Sequence, residues 1–299
     1  MRYLRLAVII IFIGALGVYG ASRVKEWRER DPHVPTISSD RNVLDVSCSA
    51  TEEELMEGLT AQDEEDGDLT SGIMIGSRSH FTEPGVCTIT YVVFDSASQS
   101  ATFERETHFT DYRPPQFSLS EPLVFTAESG DSTGIHVGAS DMLDGDLSID
   151  VKTPDSTVNY QTPGAYTVTV EVSNSYGDVS SAVLPVHVLE SWQNELDIQL
   201  TAGIVYLKTG EGLDAGSYVA GLTDGEGNAL DPGLVQAQPA VDASTPGIYE
   251  VQYIAADSQG RQGNTWLTVI VEGEEEAGWK RQKKYAWTRS ASGVSCGMW

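Results

Sequence analysis

The sequence predicts an all-β protein in which three tandem β-sandwich domains follow one N-terminal transmembrane helix. A Pro-Gly pair recurs at intervals of about eighty residues, at Pro84, Pro163 and Pro246, and alternating apolar residues follow each pair. Pro-Gly favours a turn, and an apolar period of two predicts a half-buried strand. No helical period separates the strands. A repeat of this length corresponds to one small domain, so the sequence predicts a tandem array of such domains.

An acidic turn precedes each Pro-Gly strand at a nearly constant distance. Residues 63–68 read Asp-Glu-Glu-Asp-Gly-Asp, residues 141–146 read Asp-Met-Leu-Asp-Gly-Asp, and the third copy, at Asp224, is degenerate. Each Pro-Gly strand then runs into a second turn, at Asp95, Asn174 or Asp257. The two-residue period of a strand places one set of side chains in the core. This set comprises Cys87, Ile89, Tyr91 and Val93; Tyr166, Val168, Val170 and Val172; and Tyr249, Val251, Tyr253 and Ala255.

The repeats divide the chain into six segments. They are a membrane anchor or signal segment (1–22), a linker (23–42), three sandwich domains (43–112, 117–190 and 197–272) and a basic, aromatic tail expected to be disordered (273–299). Strands over 182–189 and 266–271 should close the second and third domains. Because the linkers between domains are short, and Pro114 and Pro115 stiffen the first of them, we expect a semi-rigid rod.

Residues 6–21 form the one long apolar run of the chain. They fall slightly short of the roughly twenty residues of a comfortable transmembrane helix, yet flanking arginines would let them cross a thin bilayer. An uncleaved membrane anchor is therefore the prediction. The alternative is a signal peptide that is cleaved after the small residues near Gly20.

These motifs resemble the bacterial immunoglobulin-like repeats of cell-surface proteins, over roughly residues 43 to 272. The resemblance rests on the Asp-x-x-Asp-Gly-Asp turns, the Pro-Gly-x-Tyr starts at Pro163 and Pro246, and an Asp-x-x-Gly exit at Asp257. It implies stalk, spacer or adhesive modules outside the membrane. We therefore expect a single-pass cell-membrane protein with its bulk extracytoplasmic, although the bases that follow the apolar run would by themselves favour the opposite orientation.

The cysteines of the first repeat depart from the family pattern, because Cys87 stands where Tyr is usual. The resemblance implies a disulfide between Cys48 and Cys87 that joins the two sheets, as in many immunoglobulin domains. Two buried, reduced cysteines are the alternative.

The acidic turns are the candidate metal sites, and no other cofactor is expected. Asp63, Asp66 and Asp68, and likewise Asp141, Asp144 and Asp146, each place three carboxylates around a Gly, to which Asp95 could add a fourth in the first repeat. Ca²⁺ prefers six to eight oxygen ligands, so these turns could hold it weakly. Aspartates that cap their own turns would explain the same residues without a metal.

Charge is strongly segregated along the chain. The net charge is −26, yet residues 31–276 contain 42 acidic and only 7 basic residues. Such an acidic array excludes nucleic acid as a partner, because phosphate binding requires Lys and Arg. The tail is instead basic and aromatic and could dock on an anionic lipid or cell-envelope polymer, or on the acidic flank of a second copy. Its candidate residues are Trp279, Lys280, Arg281, Lys283, Lys284 and Trp287.

No pattern indicates an enzyme. Residues 293–297 fit the Gly-x-Ser-x-Gly formula, but that motif requires a strand before the Ser and a helix after it. The function predicted from the sequence is a non-catalytic extracytoplasmic spacer or adhesin. The alternative is a structural docking subunit of a larger envelope or surface assembly, with a cell-envelope polymer or protein as partner.

Overall fold

The computed structural model describes residues 11–20, 32–127 and 134–273. Two short helices occur among them, α1 over residues 11–20 and α2 over Glu52–Leu55. Apart from five short 3₁₀ turns, the remaining regular structure of the described residues is β, in six sheets that follow one another in pairs along the chain. The all-β prediction is confirmed.

The first repeat contains seven strands in two sheets, of which one is antiparallel and the other is mixed. They are β1 (Thr36–Ser39), β2 (Val43–Val46), β3 (Leu59–Asp63), β4 (Gly67–Asp68), β5 (Met74–Arg78), β6 (Val86–Phe94) and β7 (Ser100–Phe109). One sheet has the order β1-β3-β4 and the other the order β2-β7-β6-β5. Strand β1 lies within the segment predicted as a linker, where it pairs with β3 through Ile37 and Ala61. The repeat therefore begins earlier than predicted.

The second and third repeats have the same plan. The second contains β8 (Gln116–Ser118), β9 (Val124–Thr126), β10 (Gly138–Asp141), β11 (Gly145–Asp146), β12 (Lys152–Ser156), β13 (Gly164–Ser173) and β14 (Val179–Leu189). The third contains β15 (Leu196–Leu200), β16 (Ile204–Lys208), β17 (Val219–Asp224), β18 (Val235–Pro239), β19 (Gly247–Ala256) and β20 (Gln262–Glu272). Their sheets have the orders β11-β10-β8 with β12-β13-β14-β9, and β15-β17 with β16-β20-β19-β18.

The Pro-Gly strand is central in the larger sheet of every repeat. It pairs antiparallel with the strand that follows it, as β6 with β7, β13 with β14 and β19 with β20. An early strand of each repeat then adds to the far side of that partner in parallel, as β2, β9 and β16. The early strand and the Pro-Gly strand therefore belong to one sheet, with a third strand between them.

The inward faces predicted from the two-residue period form the core. Cys87, Ile89, Tyr91 and Val93 are all buried, and so are Val168, Val170, Val172, Val251, Tyr253 and Ala255. Tyr166 and Tyr249 are partly buried and pack against the cores of their repeats. The strand pattern thus predicted the core of each repeat correctly.

The chain divides into two compact units, whereas its repeats predict three domains. One unit contains Met1–Ser79 and Val86–Thr110, and the other contains His80–Gly85 and Asp111–Trp299. The second and third repeats share the second unit, and each has its own core, but part of the third repeat packs into the core of the second. Ile204, Ile248 and Ile270 of the third repeat belong to the same buried cluster as Phe117 and Leu119 of the second.

The apolar run at the N-terminus is described only in part. Residues 11–20 are helical and exposed, and the rest of the predicted 6–21 segment lies outside the described residues. Within the described ranges, no helix has both the length and the apolar character that a membrane crossing requires. The structure therefore does not show the predicted transmembrane helix.

Candidate functional site

The acidic turn of the first repeat is a set of carboxylates that accept backbone N–H groups. Asp63, at the end of β3, accepts through Oδ1 from the N–H groups of Glu65 and Asp66, at 2.9 and 3.0 Å. Asp66 reaches the turn after β6, where its Oδ2 accepts from the N–H of Ser96 at 2.7 Å. The Asp-Gly-Asp sequence thus closes its own turn and ties it to the end of the Pro-Gly strand.

The second repeat reproduces this geometry. Asp141 accepts from the N–H groups of Leu143 and Asp144 at 2.8 and 3.0 Å. Asp144 in turn accepts from the N–H of Ser175 at 2.5 Å. The spacing that defines the turn in the sequence is therefore the spacing that these hydrogen bonds require.

The last aspartate of each turn lies two residues before a 3₁₀ turn and accepts from its first residue. Asp68 accepts from the N–H of Thr70, and Asp146 accepts from both the N–H and the hydroxyl of Ser148. Hydrogen bonds from the Thr70 and Ser148 side chains, and then from their backbones, hold the pKa of each carboxyl below its ordinary value. Both aspartates are therefore ionised at neutral pH.

The predicted three-carboxylate calcium sites are not assembled by these contacts. Within residues 11–20, 32–127 and 134–273, no three His, Cys, Asp or Glu side chains are grouped so that they could hold a metal ion. Each carboxylate of Asp63, Asp66, Asp68, Asp141, Asp144 and Asp146 instead accepts from backbone N–H groups. These contacts agree with the alternative interpretation, in which the aspartates cap their own turns.

The place where the acidic turn meets the exit of the Pro-Gly strand differs among the repeats, and we call it the corner. In the second repeat the corner contains Asp141 and Asn174, and the Asn174 amide donates to Asp141 Oδ2 at 3.2 Å. The same amide donates to the Tyr112 hydroxyl, which donates to Asp178. Burial, and then the hydrogen bond to Asp178, raises the pKa of Tyr112. This corner is a closed polar network.

In the third repeat an arginine links the two acidic positions of the corner. Arg261 Nε donates to Asp257 Oδ2 at 2.7 Å, and Arg261 Nη1 lies 3.4 Å from Asp224 Oδ2. The pKa of Asp224 is lowered, first by the backbone and side-chain hydrogen bonds from Asn228 and further by Arg261. The guanidinium thus balances two carboxylates.

In the first repeat the corresponding positions are Asp63 and Asp95, and the corner has no such donor. Each residue is only 8% exposed. Asp95 Oδ1 accepts from the N–H of Gln99 at 2.7 Å, as Asp63 Oδ1 does from its own turn. The Oδ2 atoms of both residues are buried, and among the described residues neither has a hydrogen-bond partner. The sequence motif identifies Asp63 and Asp95. It does not show whether a side chain from elsewhere in the chain donates a hydrogen bond to them.

The prediction of a Cys48–Cys87 disulfide is wrong in this structure, in which the two residues are not bonded to each other. Cys87 is buried on β6, and Cys48 lies in the turn after β2. Both strands belong to one sheet with β7 between them, so the cysteines do not face each other across two sheets. Strands two apart are separated by roughly 10 Å, more than a disulfide spans. Burial raises the pKa of Cys87 to about 11.

The candidate docking residues of the tail, Trp279, Lys280, Arg281, Lys283, Lys284 and Trp287, lie outside the described residues. Their predicted role stays a prediction.

The junction of the second and third repeats is the other feature with functional content, and we call it the seam. The N–H of Phe117 donates to the Tyr206 hydroxyl at 2.7 Å. The His187 ring stacks on Trp266, with centroids 3.9 Å apart and planes 8° apart, and its Nε2 lies 2.7 Å from the Glu250 carboxylate. These side chains join the two repeats through apolar, stacked and polar contacts together. The sequence gives no separate signal for them, because each occupies an ordinary strand position.

Comparison with known proteins finds similarity to one protein-family model, over the second repeat. Residues 111–186 match the PKD domain. Over 223 residues the chain is 30% identical to the pesticidal crystal protein Cry22Aa of Bacillus thuringiensis. This alignment covers 72% of the present chain and 30% of Cry22Aa. Over 243 residues the chain is 25% identical to an uncharacterized 81.3 kDa protein of Acholeplasma phage L2. This alignment covers 78% of the present chain and 32% of the phage protein. The chain therefore spans about a third of the length of these curated relatives.

Parts of the chain also align with solved structures at low identity. One contains the CBM51-2 domain in complex with GlcNAc and the INT domains of Clostridium perfringens ZmpB, with 19% identity, a TM-score of 0.22, and coverage of 50% of this chain and 26% of that chain. Another is the human desmocollin-1 ectodomain, with 13% identity, a TM-score of 0.20, and coverage of 81% and 62%. The match to the PKD domain, together with the sheet order, supports an immunoglobulin-like β-sandwich for the repeats.

Proposed function

We propose that this chain is a non-catalytic spacer or adhesive protein that presents three tandem immunoglobulin-like domains outside the membrane. The observation that carries the proposal is the seam. Because the second and third repeats share one buried cluster and several polar contacts, they should move as one body. A spacer requires such stiffness, since a flexible junction would let the presented end fall back toward its anchor.

The charge of the repeats supports an exposed, soluble spacer. The repeats are strongly acidic, with 42 acidic residues between 31 and 276. A high net charge of one sign keeps exposed rods soluble and apart from one another. The polar groups of the second and third corners are used in structural hydrogen bonds, which leaves them little chemistry to offer a substrate.

Anchoring through residues 6–21 completes the proposal. A single apolar segment before the first repeat would fix one end of the array at the cytoplasmic membrane. The tail beyond residue 273 would then contact an anionic polymer of the cell envelope, an anionic lipid or a second copy.

A docking subunit of a larger envelope assembly is the second candidate. Two exposed apolar side chains favour it: Ile149 is 93% exposed and Trp192 is 52% exposed. Large apolar groups at the surface are common in protein interfaces. Crosslinking in intact cells followed by purification discriminates the two, because one dominant protein partner favours the assembly and broad binding to envelope polymers favours the spacer or adhesin.

Protease accessibility tests the shared basis of both candidates. Proteinase added to intact cells that produce the full chain should digest residues 32–273, while a cytoplasmic marker protein stays whole. Lysed cells provide the control in which both proteins are digested. Protection of the repeats until lysis would refute an extracytoplasmic function.

A further inference from the structure

The three corners contain the same two positions, but the charges of the side chains at and around these positions differ in each repeat. Each corner contains an aspartate from the acidic turn, Asp63, Asp141 or Asp224. The second repeat pairs it with a neutral amide, Asn174, which donates directly to the carboxylate. The third repeat pairs it with a second carboxylate, Asp257, and supplies the positive guanidinium of Arg261 to both. Two carboxylates in one corner are therefore accompanied by a cation.

The first repeat has the two carboxylates of the third without its guanidinium. Gln99 occupies the position of Arg261, since its carbonyl accepts from the Asp95 N–H as that of Arg261 does from Asp257. The Gln99 side chain is directed elsewhere and donates through Nε2 to the His33 carbonyl. The Oδ2 atoms of Asp63 and Asp95 stay buried and without a donor in the part of the chain that the structure describes.

Electrostatics makes this arrangement costly unless a positive group joins it. An ionised carboxylate that is removed from water needs hydrogen bonds or a counter-charge, and two like charges in one site repel each other. The same acidic turn adds further negative charge through Asp66, which accepts from the N–H of Ser96, the residue after Asp95. The ring of the nearby basic residue His33 contacts Glu64 and Glu65 of the turn.

We propose that Asp63 and Asp95 bind one divalent cation, such as Ca²⁺, which has the role of the Arg261 guanidinium in the third repeat. The available donors are the carboxylate oxygens of Asp63 and Asp95, and hard divalent cations prefer oxygen ligands. The sequence already allowed Asp95 as a fourth ligand of the first acidic turn. The proposed site keeps Asp63 and Asp95 and omits Asp66 and Asp68, because only the Oδ2 atoms of the first two are buried without a partner among the described residues. It also goes beyond the spacer function, which needs no ligand.

Isothermal titration calorimetry of the full chain in detergent, first treated with chelator and then titrated with CaCl₂, tests the site. We expect about one bound ion per chain, with a dissociation constant of about 0.1–1 mM, as in extracellular calcium modules. Two variants should weaken binding by at least about tenfold, because each copies another repeat and removes the need for a cation. Asp95→Asn introduces the amide found at Asn174, and Gln99→Arg introduces the guanidinium of Arg261.

Matched variants separate the site from bulk charge. Asp155→Asn and Gln238→Arg make the same two charge changes at exposed strand positions, and both should bind Ca²⁺ like the wild type. Because the two test variants reproduce pairs that already occur in folded repeats, their unfolding transitions should persist and can be checked by calorimetric scanning. The proposal is overturned if the wild type binds no Ca²⁺ at millimolar concentration, if both test variants bind as it does, or if the matched variants lose binding equally.

Discussion

Arg105 is the largest fully buried side chain of the described residues, and it occupies a core position that Leu184 and Leu267 fill in the other repeats. Its guanidinium donates to the carbonyls of Leu55 and Glu57 at 2.5 and 2.7 Å and to the Tyr91 hydroxyl at 3.1 Å. These bonds fasten helix α2 and the loop after it to the core. No sequence signal identifies this role, because an arginine on a strand is usually exposed.

Arg105→Ala should destabilise the first unit by about 3 kcal/mol, since it leaves a cavity, removes the side-chain donor of the Glu57 carbonyl and leaves the Leu55 carbonyl with the Tyr91 hydroxyl alone. Glu104→Ala, at the exposed neighbouring position of β7, should change the free energy of unfolding by less than about 0.5 kcal/mol. Chemical denaturation measures both. Equal stability of the two variants would show that the buried guanidinium contributes nothing.

The Asp-Gly-Asp turn is the element that the sequence identifies most securely. Gly67 has a φ of 76°, the left-handed region, and an added Cβ would meet nothing within 4 Å. Backbone conformation alone therefore requires glycine here. Gly72, a few residues on, has no such φ, and an added Cβ would make an ordinary contact at 3.7 Å with Val93.

Gly67→Ala should cost about 1 kcal/mol of stability because an L-residue is strained in the left-handed region. Gly72→Ala should be nearly neutral and serves as its control. Thermal unfolding compares the two. If Gly67→Ala were as stable as Gly72→Ala, the turn would not have the conformation described.

The last aspartates of the turns make stability depend on pH. Because the pKa of Asp68 and of Asp146 is lower in the folded protein than in the unfolded chain, the ionised form stabilises the fold. This contribution is complete above the unfolded pKa, about 4, and is lost as the pH falls through the folded value. The double variant Asp68→Asn, Asp146→Asn should therefore show a shallower loss of stability below about pH 4. Urea denaturation between about pH 2 and 6 tests this, and identical profiles would contradict it.

The elements were predictable where one strand carries its own signal. Alternation in β6, β13 and β19 gave the buried faces, because a period of two assigns every side chain to one side of a sheet. Strand β1 was missed because it has only four residues and little alternation. The side chains that donate to the aspartates of the acidic turns were missed for another reason. Asn174 lies 33 residues from Asp141 and Arg261 lies 37 residues from Asp224, and only the fold brings each pair together.

The same limit applies to the whole molecule, in which the sequence predicts three separate domains and the contacts form two units. The continuity of the second and third repeats depends on a close approach at Gly203. Its N–H donates to the Leu119 carbonyl at 3.2 Å, and an added Cβ would lie 2.7 Å from Leu119 Cβ and 2.8 Å from the Glu121 carbonyl oxygen. Nothing in the sequence distinguishes this glycine from the others.

Gly203→Ala should therefore open the seam, because the backbone of Glu121 cannot move aside without breaking contacts. We expect the single unfolding transition of the second unit to separate into two, at lower temperature for at least one repeat. Gly212→Ala, where an added Cβ meets nothing within 4 Å, is the control and should leave the transition unchanged. An unaltered transition in Gly203→Ala would mean that the seam is not tightly packed. Differential scanning calorimetry gives this readout.

The stiffness of the seam is the property on which the spacer function depends, and a distance measurement tests it most directly. Spin labels at Asp155→Cys in the second repeat and Gln236→Cys in the third, with Cys48 and Cys296 replaced by serine, allow double electron–electron resonance across the seam. Buried Cys87 can stay, because its pKa of about 11 keeps it unreactive. One narrow distance distribution is the predicted result. A broad distribution, or several distances, would contradict a rigid pair of repeats and with it the proposed spacer.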